Sequence, residues 1–155
     1  MTEYLNHLKK SKRYLHIADH MLTQTYPLIK DPKLFVAIMD NVFLCLSSSL
    51  DALVFYEREL KEIPPFHNSF ESKFNVFKLK LMSKYSIDVS FLKFIEDIKN
   101  IILKHRESPV EFARNDKFVI CSEEYDLTSI SIDSMKKFIK QSKLFLELVN
   151  KIVGE

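Results

Sequence analysis

Glycine is almost missing. The 155-residue chain has one, Gly154, next to its C-terminus. With no internal glycine, few positions accept positive φ at low cost, so phosphate-cradling loops are unfavourable. Walker and dinucleotide-binding fingerprints need several glycines and are excluded, so the sequence carries no cofactor signature. Cysteine is scarce too. Cys45 and Cys121 stand alone, without metal-type spacing. A reduced, cytoplasmic setting is the simple reading. The N-terminus, MTEYLNHLKK, lacks the apolar core of a signal peptide. The most apolar run, Leu34 to Tyr56, is interrupted by Asp40, Asn41 and Asp51. Two aspartates are costly in lipid, so the run predicts a core helix and no membrane partner.

Neither sign of charge dominates, because the net charge is +2. Its distribution is uneven. Segments 1–30, 70–106 and 134–155 are basic, whereas 31–69 and 107–133 are acidic. Such alternation suits complementary helices or contacts between subunits better than one nucleic-acid footprint.

What is present is helical periodicity over one expected domain, residues 1–155. Tyr4, Leu8, Ser11, Tyr14, Leu15, Ala18, Met21 and Leu22 share one side of a first helix ending near Tyr26. Pro27 is expected to stop it. Phe35, Ile38, Met39, Val42, Phe43, Leu46, Leu50, Leu53, Val54, Tyr56 and Leu60 give a second helix, about Pro32 to Glu62, with a wide apolar arc. A polar strip of Asp40, Ser47, Asp51 and Arg58 runs along it. Phe70, Phe74, Phe77 and Leu81 mark a third helix. Ser86 and Asp88 offer caps for a fourth, which runs to about Arg106. Ser108-Pro109-Val110-Glu111 has capping-box form and predicts a short helical turn. Lys117 to Cys121 and Leu127 to Ile130 are β-prone runs flanking the acidic turn Ser122 to Asp126, and predict a hairpin. A last helix follows from about Asp133 to Val153. The expected fold is all-α: an up-down bundle of four long helices, with a short helical turn and a small β-hairpin before the last helix.

Candidate chemistry is sparse. His16 and His20 lie one helical turn apart, the spacing of a metal pair, but the chain has no His-Glu-x-x-His or Glu-x-x-His. Lys9, Arg13, His16 and His20 form a stripe that can follow a phosphate backbone or simply be solvated. Asp40, Asp51, Glu57 and Glu59 have no paired nucleophile. Ser47-Ser48-Ser49 lies mid-helix and suits close helix packing. Cys121 reads as a buried, inert thiol.

Arg106 and Arg114-Asn115 follow helix-terminal turns and are candidates for a basic cleft, or Arg114 pairs with Asp116, Glu111 or the acidic turn. A helical bundle of this size with Arg114-Asn115 ahead of its last helix resembles the HEPN domains (higher-eukaryote and prokaryote nucleotide-binding). That family includes metal-independent ribonucleases and toxins, which use an Arg, often followed by Asn, and a His after four to six intervening residues, and act as dimers. Here the histidine positions hold Val119, Ile120 and Cys121. The resemblance therefore implies a non-catalytic relative, since the general acid–base group is missing. The function expected first is a non-enzymatic cytosolic interaction module, a homodimer whose second helix has apolar surface to share. RNA or nucleotide binding through Arg106, Arg114, Asn115 and the Lys9–His20 stripe comes second, and a metal-dependent enzyme third.

Overall fold

A computed structural model describes residues 2–61, 63 and 65–154. Helix α1 (Thr2–His20) passes through a wide π-type turn (Met21–Thr25) and closes with one more turn (Tyr26–Ile29). It therefore runs past Pro27. The proline sits in the first positions of that closing turn, where a missing N–H is tolerated. Lys30, in the left-handed region at φ 55°, ends the helix, and its N–H donates to the Tyr26 carbonyl at 2.7 Å.

Helix α2 (Leu34–Glu59) is the centre of the core. Phe35, Ile38, Met39, Val42, Leu46, Leu50 and Leu53 are wholly or almost wholly buried. Length and hydropathy would let α2 cross a membrane. In this structure α1, α3 (Phe70–Val76), α4 (Val89–Glu107) and α5 (Ile132–Val153) pack around it. Most of the wide arc is thus buried inside the chain; Phe43 and Tyr56 are half-buried and Leu60 is exposed.

Small residues let α1 and α2 approach closely. Ser11 and Ala18 on α1, and Cys45, Ser49 and Ala52 on α2, are fully buried. The Ser11 and Ser49 hydroxyls meet at 2.5 Å and lie 2.9 and 2.8 Å from the Cys45 carbonyl. Each has one proton, so one bonds the carbonyl and the other bonds its partner. Nothing polar is left unmatched at this contact.

Helix α3 continues through a second wide turn (Phe77–Leu81) to Met82–Lys84. Ser69 caps α3, Asp88 caps α4 and Ser131 caps α5. Each side-chain oxygen accepts a backbone N–H, from Ser72, Ser90 and Ser134 respectively.

The region before α5 departs from expectation. Val110 to Arg114 is not a helical turn but strand β1 (Val110–Arg114), which pairs antiparallel with β2 (Lys117–Cys121); β2 pairs with β3 (Leu127–Ile130). The sheet has order β1-β2-β3. Ser108, expected as a helix cap, places its hydroxyl 2.7 Å from the carbonyls of both Val110 and Cys121. Strand pairing wins because Phe118, Ile120 and Ile130 bury one face of the sheet in the core. The fold is therefore five helices with a three-stranded antiparallel sheet, mostly helical but not a four-helix up-down bundle. The predicted β2–β3 hairpin is present.

Candidate basic groove and the placement of the predicted residues

Arg114 lines a shallow trough with Asn115 and Lys117 that does not include Arg106. Arg106 lies on the last turn of α4 with its guanidinium 6.0 Å from the Phe43 ring of α2. Arg114 faces Lys117 across the β1–β2 tip, and Asn115 supplies the left-handed φ of 55° that the two-residue loop requires. Among the described residues Arg114 forms no ion pair, so the expected pairing with nearby acids is absent. Glu111 bonds His105 instead, Nδ1 to Oε2 at 2.6 Å. The two residues that carry the HEPN resemblance therefore stand at a hairpin tip.

Lys9, Arg13, His16 and His20 are all exposed along α1. The His16 and His20 rings are 6.3 Å apart. Among the described residues no group of three or more His, Cys, Asp or Glu could hold a metal. A groove lies beside the stripe, between α1 and α5. Lys12 and Leu15 from α1 line a 570 Å³ groove with Lys143, Leu146, Glu147, Asn150 and Lys151 from α5. Lys143 Nζ meets Asp19 Oδ2 at 3.3 Å near one end. Lys12 shares the other end with Asn150 and Lys151, so the helices run antiparallel. Leu15 and Leu146 form an apolar floor, and cations stand on both walls. Two acids, Asp19 and Glu147, offset part of that charge.

Reading the helices singly could not find this groove. The signal was there, since α5 carries Lys136, Lys137, Lys140, Lys143 and Lys151. That α5 lies beside α1 is a tertiary fact.

A second constellation was also missed. Lys73 Nζ lies 2.6 Å from Asp51 Oδ1, and His7 Nδ1 lies 3.6 Å from Asp51 Oδ2. The His7 ring stacks on Phe55, centroids 5.0 Å apart. Burial pushes the His7 pKa below its ordinary value, and the Asp51 carboxylate only partly opposes this. Glu57, fully buried, accepts from Lys84 Nζ at 2.7 Å and from the Tyr85 hydroxyl. Asp51 and Glu57 are thus tied to α3 and to the turn after it, not displayed for acid–base work. Asp40 and Glu59, the other two candidates, are exposed.

Of the thiols, Cys45 is the buried one. Burial pushes it up to about 11, although the Ser11 and Ser49 hydroxyls work the other way. Cys121, expected to be buried, is only half-buried at the end of β2, because its side chain points to the outer face of the sheet.

Comparison with protein-family models, curated proteins and solved structures finds no match.

Proposed function

We propose that this chain is a non-enzymatic binding module for a phosphate backbone, held in the groove between α1 and α5. One observation carries the reading: lysines on both walls of an antiparallel helix pair, with Lys9 and Arg13 continuing the charge along α1. Exposed cations on a groove release condensed counterions when they meet phosphates, which drives sequence-independent binding. The apolar floor of Leu15 and Leu146 accepts the face of an unstacked base more readily than a rigid duplex. The favoured ligand is therefore single-stranded. The HEPN resemblance would make that strand RNA.

The reading shifts the expected contact residues. Arg106, Arg114 and Asn115 lie on other surfaces, so the α1 stripe and α5 carry the proposal. The test is fluorescence anisotropy with a labelled oligouridylate across a salt series. Binding that weakens with salt and is reduced in Lys12→Gln/Lys151→Gln supports it. No binding at low salt would sink it. Cleavage of the probe that disappears in His16→Ala would overturn the non-enzymatic part.

A further inference from the structure

The sheet has one face in the core and one in solvent. Val110, Phe112 and Arg114 of β1 point outward, with Lys117, Val119 and Cys121 of β2 and Leu127 and Ser129 of β3. Leu127 is 63% exposed, Val110 53% and Phe112 38%. Two of these large apolar side chains lie on β1 and one on β3, with the buried Val119 of β2 between them, and such a cluster exceeds the scattered exposure of an ordinary surface. Phe112 and Leu127 flank Val119 in a shallow 290 Å³ trough.

This face is electrically lopsided along the strands. At the β1–β2 end stand Arg114 and Lys117, opposite each other. At the β2–β3 end the turn carries Glu123, Glu124 and Asp126, all exposed. Basic and acidic ends are separated by the length of β2, about 16 Å at about 3.3 Å per residue.

We propose that this face docks on the same face of a second copy of the chain. The charge pattern selects the geometry. Two sheets can stack face to face about a two-fold axis lying between them. With that axis along the strands, basic end would meet basic end. With the axis perpendicular to the strands, Arg114 and Lys117 of each copy reach the partner's acidic turn, and the apolar row meets its own image. Such an interface is isologous and closes at a dimer. The repulsive alternative argues against the wrong register as strongly as the attraction argues for the right one. Three strands of four or five residues cover a small area, at the low end of specific interfaces, below about 1,200 Å² in total. The dimer is accordingly weak and reversible. It does not depend on the phosphate-binding reading, because the α1–α5 groove uses other residues.

Sedimentation velocity over a concentration series tests it. The intact chain shifts from monomer to dimer as concentration rises, and Phe112→Asp stays monomeric. Two charge reversals decide the orientation. Arg114→Glu/Lys117→Glu and Glu123→Lys/Glu124→Lys each sediment as monomers alone, and as a dimer when mixed. All five sites are exposed, so circular dichroism checks that each variant is folded. An intact chain that stays monomeric throughout overturns the proposal. So does a dimer that survives Phe112→Asp, or a mixture of the two reversals that fails to associate.

Discussion

The salt dependence of RNA binding is the sharpest consequence of the groove, because the ion pairs within it fix the expected numbers. Lys12 and Lys151 line the groove, Lys9 and Arg13 are exposed on α1 beside it, and none of the four forms an ion pair among the described residues, whereas Lys143 is held by Asp19 at 3.3 Å. Four free cations on a single strand predict a log–log salt slope of about −2.8, from about −0.7 per neutralised phosphate. Between about 50 and 200 mM salt the affinity then falls roughly 50-fold. Lys12→Gln/Lys151→Gln removes two contacts, so the slope drops to about −1.4 and the fall to roughly 7-fold. Asp19→Asn acts in the opposite direction. It releases Lys143 as a fifth cation and steepens the slope to about −3.5, a fall of roughly 130-fold. Anisotropy titrations at four or more salt concentrations measure all three slopes. A slope unchanged in the double lysine variant would refute the groove as the binding surface. A slope that flattens in Asp19→Asn would refute the pairing argument.

Other outcomes follow from the buried groups. His7 has a lowered pKa when folded, so the unfolded chain binds its proton first as pH falls from about 6.5. Stability contributed there is full above that pH and declines as pH drops below it. In His7→Phe the urea midpoint should lose part of its fall between pH 7 and pH 5, and an identical pH profile would contradict this. Cys45 is buried with its thiol pushed up to about 11 and Cys121 is half-buried, so a thiol reagent at pH 8 should modify only Cys121 in the native state and both in denaturant. Fast native labelling of Cys45 would mean that the α1–α2 contact opens. Phe145 is fully buried, with ring neighbours Phe77 at 5.7 Å and Phe91 at 5.5 Å. Phe145→Ala should cost about 3–5 kcal/mol by urea unfolding, and a loss below about 1 kcal/mol would mean that the core refills the space.

The helical plan was readable because it rests on local signals. The apolar positions of α1, α2 and α5 recur at helical spacing. Ser69, Asp88 and Ser131 are short polar residues ahead of periodic runs, and each proved to be a cap. The Ser47–Ser49 run read as a packing surface, and Ser49 does bury against Ser11. The errors fall where local rules were outweighed. Ser108 to Glu111 satisfies a capping box, yet strand begins at Val110 because β2 supplies partners that a lone helical turn would lack. Pro27 satisfies a stop rule, yet a wide turn before it restarts the helix.

By itself, then, the sequence determined which stretches are helices, which faces are apolar, and that glycine-built phosphate loops are absent. These follow from side-chain spacing and backbone freedom, both of which operate within a few residues. Only the tertiary structure decided where charges far apart in sequence meet. It put Lys12 and Lys151 on one groove, set Asp51 between His7 and Lys73, and laid Arg106 against Phe43. Helix packing brings together residues more than a hundred positions apart, and periodicity along one helix carries no record of which neighbour its polar edge will face.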